Sequence, residues 1–114
     1  MKTDKPTSKE RLVHIADAIR KIENYTANAS ETTFSENPML HDAVLYQFSI
    51  IGEAIVHVES ELLNKYDYPW HSVRAFRNLI AHQYFGIRFD KVWSLIENDL
   101  PELKKKIESI INNE

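Results

Sequence analysis

The sequence predicts an all-α fold, an antiparallel bundle of four to five helices forming a single domain over residues 1–114. Three observations carry that prediction. Two Gly and four Pro leave few turns for a many-stranded sheet. Leu, Ile, Ala, Glu and Lys, all good or tolerable helix residues, dominate the chain. Apolar residues recur at spacings of three and four rather than alternating.

The elements follow in order. Thr7 with Glu10 three residues later reads as a capping box, and Leu12, Ile15, Ala16, Ile19 and Ile22 give the first helix its stripe, which fades near Tyr25. Residues 26–36, TANASETTFSE, read as a polar loop. Asn37-Pro38 is a start signal, Asn capping and Pro at the first helical position. The second helix then carries Leu40, Val44, Phe48, Ile51, Ile55, Val58 and Leu62 on one side. Gly52 lies inside it, at a cost of about 1 kcal/mol relative to Ala, which points to close approach by another backbone. Pro69 breaks the pattern. A third helix is predicted from His71 to Phe85, with Val73, Phe76, Leu79 and Ile80 inward and Gly86 at its left-handed end. Asp90 is expected to cap a fourth helix on Trp93, Ile96, Leu100, Leu103, Ile107 and Ile110, kinked or split by Pro101. Lys104, Lys105 and Lys106 read as a solvated face, and Trp70 and Trp93 as core or interface anchors.

Composition excludes several classes. Apolar residues at 43% and charged residues at 27% are ordinary for a globular protein with one core. No Cys means no disulfide and no thiolate metal site, which fits a reducing compartment. The start, MKTDKPTSKE, lacks the apolar core of a signal peptide, and no run approaches the roughly 20 apolar residues of a membrane span. A cytoplasmic protein without membrane contact is expected. A net charge of −3 argues against a general nucleic-acid binder. Yet residues 71–89 hold Arg74, Arg77, Arg88, His71 and His82 and no carboxylate, a local cationic window suited to phosphate.

Inside that window lies RNLIAHQYFG, residues 77–86. On an α-helix Arg74, Asn78 and His82 would form one ladder, with Arg77 and Tyr84 in a second row and Ala81 between them. Such a wedge suits metal-independent cleavage of RNA. A ribose 2′-hydroxyl attacks its own phosphodiester, histidine moves protons near neutral pH, and arginine clamps the charged phosphorane. Asn78 could hold the imidazole or a phosphate oxygen, and Tyr84 could donate a hydrogen bond or stack on a base. One histidine per chain is too few for both an acid and a base, so a two-fold dimer apposing two motifs is expected. An Arg-x4-His spacing by itself is weak in a chain with five His, and a histidine in a last helical turn also serves simply as a dipole partner. Glu53 could support the cleft or pair with an arginine. His14, His41, His57 and His71 lack zinc-site spacing, so neither metal nor cofactor is expected, and His57 reads as a helix-boundary side chain.

These residues carry a resemblance. Arg77, then NLIA, then His82-Gln83-Tyr84 is similar to the Arg-x4-His-x-Tyr signature of HepT-like HEPN-domain ribonuclease toxins, with Asn78 at the polar position after the arginine. IGEA at 51–54, Pro69-Trp70, YFGI at 84–87, Trp93 and DLPEL at 99–103 also match in order. The resemblance implies a helical homodimer of the type II or type VII toxin–antitoxin kind that cuts RNA, tRNA or mRNA, through catalytic Arg77 and His82. The cationic window makes Arg74 and Arg88 candidate RNA phosphate contacts. The resemblance also implies a minimal nucleotidyltransferase antitoxin, which in such pairs can transfer AMP to the motif tyrosine, here Tyr84. The alternative is a non-catalytic helical module that docks a nucleotidyltransferase or a nucleotide.

Overall fold

The computed structural model describes residues 5–79, 86 and 88–114. Helix α1, Ser8–Thr26, starts as expected: Glu10 N–H donates to Thr7 Oγ1 at 3.1 Å and Thr7 N–H donates to Glu10 Oε1 at 2.8 Å. That amide, and then the Thr7 hydroxyl, hold the exposed Glu10 carboxyl below its ordinary value. A depressed carboxylate contributes stability above its unfolded pKa, and that contribution is lost as pH falls through the folded one. Thr7→Ala should therefore lower the melting temperature by a few degrees at pH 7. Glu10→Gln should flatten the fall in melting temperature between pH 5 and pH 3, as read by circular dichroism.

The stretch expected to be loop is partly helical. Helix α2, Glu31–Glu36, opens on its own reciprocal cap between Ser30 and Thr33. Phe34 supplies the reason: it is fully buried, 5.4 Å from Trp93 and 6.1 Å from Phe89, ring centre to ring centre. One aromatic in a polar run gives no periodicity, but it folds a short turn once a hydrophobic site exists to receive it.

Helix α3, Pro38–Val56, begins at Asn37, whose side chain accepts from Leu40 N–H at 3.1 Å. It is long and apolar enough by composition to cross a membrane, but half of it is buried in the bundle. Val44, Leu45, Phe48, Ile51 and Ile55 of α3 join Leu12, Ile15, Ile19 and Ile22 of α1 in one core, all without solvent exposure. The expected continuation to Leu62 does not occur. The chain turns at His57–Glu59, where Glu59 N–H donates to Ser8 Oγ at 3.1 Å, and restarts as α4, Ser60–Leu63. Val58 stays buried, so the stripe persisted in sequence while the helix had ended. The Trp70 indole N–H, donating to the carbonyls of Leu63 and Tyr66, ties α4 to α5, Trp70–Arg74.

After a 3₁₀ turn, Ala75–Asn78, described structure resumes with Gly86 and then with α6, Phe89–Ser94. Asp90 does not cap α6. It lies inside the helix and pairs with Arg88, which holds the cap position without a side-chain bond. Pro101 is accommodated by a π-helical segment, Leu95–Asp99, in which Leu100 N–H bonds to Leu95 C=O. The wider turn relieves the clash a proline ring makes with the preceding turn. Helix α7, Leu100–Asn113, then buries Leu100, Leu103, Ile107 and Ile110.

The long helices run antiparallel. Lys104 pairs with Glu23 at 3.0 Å while Arg20 lies 3.9 Å from Glu108, so α7 descends as α1 rises. Ser8 meets Glu59, and Ala18 shares a surface with Gln47, so α3 also opposes α1. Lys104 thus leaves the lysine run expected to be solvated, because the antiparallel register sets Glu23 opposite it. Trp70 and Trp93 are core residues.

Candidate active site

Two contacts position the segment that carries Arg77. Phe76 turns inward against Phe48, with ring centres 5.0 Å apart at 78°. Beside it the Arg77 backbone lies directly on Gly52. A Cβ built on that glycine would stand 2.9 Å from Arg77 Cβ, 3.0 Å from its Cα, and closer still to its amide nitrogen. Sequence reasoning flagged Gly52 as a site of close approach; the element it admits is the one bearing the arginine.

The local helix type changes the layout expected from an α-helical wheel. In 3₁₀ geometry residues three apart eclipse one another, so Arg74 and Arg77 share a side instead of standing in separate rows. Together with His71, Ala75 and Asn78 they line an open depression of about 380 Å³. Ala75 is the small residue there, a role the sequence suggested for Ala81, which lies outside the described residues. Arg74, Arg77, Asn78 and His71 are all exposed. Among the described residues no carboxylate pairs with Arg74 or Arg77, whereas Arg20 pairs with Asp17 and Lys104 with Glu23.

Arg88 is placed differently. Its Nε and terminal nitrogen donate to Asp90 at 3.1 and 2.8 Å. That hydrogen-bonded pairing holds the Asp90 carboxyl below its ordinary range and raises Arg88. Glu53 pairs with His57 at 3.0 Å, one helical turn away, and not with an arginine. His57 is the boundary residue of α3, as expected. His41 is buried against Phe89, ring centres 4.1 Å apart; its Nδ1 lies 3.3 Å from Asp42 without hydrogen-bond geometry. Among the described residues no three His, Asp or Glu side chains gather in a metal-type cluster. Ile80, His82, Gln83 and Tyr84 lie outside the described residues. Gly86 does adopt the left-handed conformation, with φ of 86°, and an added Cβ would meet nothing.

His71 is the site residue that motif reading did not assign. Its signal was available: it stands three residues before Arg74, as Arg74 stands three before Arg77.

An all-α bundle in which, among the described residues, Arg74 and Arg77 have no carboxylate partner and line one depression is a scaffold for an anionic ligand. The chain belongs to the ribonuclease HepT-like family, whose model matches residues 15–110. It is 36% identical over 101 residues to a Methanocaldococcus jannaschii protein named "Gamma-glutamylcyclotransferase and putative RNase", covering 88% of this chain and 46% of that relative. It is 30% identical over 115 residues to a "Putative RNase" of Caldanaerobacter subterraneus subsp. tengcongensis, covering 100% of this chain and 99% of that one. A "Probable ribonuclease HepT" of Thermococcus cleftensis is 30% identical over 107 residues, covering 93% and 97%. No solved structure matches the chain.

Proposed function

We propose that this chain is a cytoplasmic ribonuclease toxin that cleaves RNA without a metal ion, in a cleft between two copies of itself. Arg77 clamps the scissile phosphate and His82 transfers protons. The 2′-oxygen bonds to phosphorus, the bond to the 5′-oxygen breaks, and the products are a 2′,3′-cyclic phosphate and a 5′-hydroxyl. The proton leaves the attacking hydroxyl for one imidazole, and another proton reaches the departing oxygen from the imidazole of the second copy. Asn78 steadies the imidazole or a phosphate oxygen, and Arg74 contacts an RNA phosphate. The observation that carries this reading is Arg77, held on the backbone of α3 beside Arg74 in a depression where, among the described residues, no carboxylate pairs with it. Because Asp90 neutralises Arg88, a phosphate contact from Arg88 would require breaking that pair.

The partner in this reading is a minimal nucleotidyltransferase antitoxin. The Tyr84 phenol attacks the α-phosphate of ATP, pyrophosphate leaves, and the phenolic proton passes to solvent. The added AMP phosphate then competes for the arginines that RNA needs. Family membership and the cationic depression support this; a Tyr84→Phe variant that still takes up label from ATP in the presence of its antitoxin would refute it.

Cleavage of a labelled RNA by the purified chain tests the enzyme. The rate should stay within about twofold in excess EDTA, as expected when arginine and histidine supply the charge and proton transfer. A product ending in 2′,3′-cyclic phosphate is expected. A rate abolished by EDTA and restored by Mg²⁺ would overturn the metal-independent mechanism.

A further inference from the structure

The depression is longer than one phosphate clamp needs. His71, Arg74 and Arg77 follow each other at intervals of three residues and line the same surface, with Ala75 leaving room between the larger side chains. Six residues of mixed α and 3₁₀ helix set His71 about 9–12 Å from Arg77 along the axis. A row of that length has room for two neighbouring phosphates of one strand, one at each end. Among the described residues no carboxylate pairs with this row in a protein of net charge −3, while Arg20, Lys65, Arg88 and Lys104 are each paired with one. The depression is also open to solvent, so a strand can reach its lining residues.

We propose that His71 and Arg74 form a second phosphate subsite, which holds the phosphodiester adjoining the one clamped by Arg77 on the same single-stranded RNA. The proposal rests on the ribonuclease reading above. Arg74 supplies a permanent, forked donor, and the imidazole of His71 supplies an N–H in either protonation state. Arg74, lying between the two ends, keeps the bound strand in line, so that the scissile linkage arrives at Arg77 with its neighbour already anchored.

The test is substrate length. Cleavage is measured on a dinucleotide and on a tetranucleotide that share the scissile linkage. In the native protein kcat/KM should rise about tenfold with the added phosphates, the scale of one well-made charged contact. In His71→Ala the rise should shrink to less than about threefold. His71→Arg should keep the length gain and His71→Phe should lose it. Because His71 is exposed, none of these variants disturbs the core. An undiminished gain in His71→Ala would overturn the subsite. A gain kept by Phe but lost by Ala would mean base stacking and would equally overturn the phosphate assignment. If the native protein shows no Arg77-dependent cleavage at all, the ribonuclease reading fails first and the subsite falls with it.

Discussion

Arg77→Ala is expected to lower RNA cleavage by about 100- to 1,000-fold, the usual cost of removing one donor that faces developing negative charge. The substitution removes only an exposed side chain, so the helical circular dichroism and the melting temperature should hardly change. The Arg77 backbone keeps its seat on Gly52. Expressed without a partner, the variant should no longer arrest growth, and His82→Ala should behave alike. Arg77→Lys should recover only part of the rate, because a lysine ammonium places one charge where a guanidinium offers two parallel donors. Growth arrest at the native level from a folded Arg77→Ala chain would remove the arginine from the mechanism.

Gly52→Ala is the second large effect, and it works at a distance from any reacting atom. The new methyl group would overlap the Arg77 amide and crowd its Cα and Cβ at 3.0 and 2.9 Å. All of these are backbone or backbone-proximal atoms with no rotamer to swing aside. Either the 3₁₀ turn lifts from α3 or α3 bends. Overpacking of this kind costs about 1–3 kcal/mol, and the helix-propensity gain of alanine over glycine offsets about 1 kcal/mol of it. The catalytic consequence should be larger than the loss in stability, since displacement of a positioned group by about 1 Å can cost about 100-fold in rate. A modest fall in melting temperature with a drop of that order in kcat and little change in KM is the expected pattern. A variant with native kcat would show that the turn shifts without moving the guanidinium. Gly52→Val should worsen both effects.

Much of the bundle was legible in the sequence because its signals are local. Thr7 and Glu10 cap one helix, Asn37 and Pro38 open another, and each core stripe repeats within its own helix. Helix α2 was not legible, because Phe34 means nothing until Trp93 and Phe89 arrive from more than fifty residues away. The end of α3 was hidden for the opposite reason: Val58 and Leu62 continued a stripe across a break that the Ser8–Glu59 contact helps to set. Asp90 looked like a cap because Asp often is one; Arg88 two residues earlier claimed its carboxylate. At the candidate site Arg77 and Asn78 were named from their order along the chain. That Arg77 lines the same surface as Arg74 was not legible, since a helical wheel assumes 3.6 residues per turn and this turn has three.

By itself, then, the amino-acid order determined the long helices, the antiparallel bundle class and the family, through spacing, caps and a motif that all act within a few residues of one another. Tertiary structure decided which arginines pair with a carboxylate among the described residues, that His71 lines the depression with Arg74 and Arg77, and why Gly52 is a glycine. Those outcomes depend on which side chains and backbones meet across helices, and pair distances between remote segments are written in no local pattern.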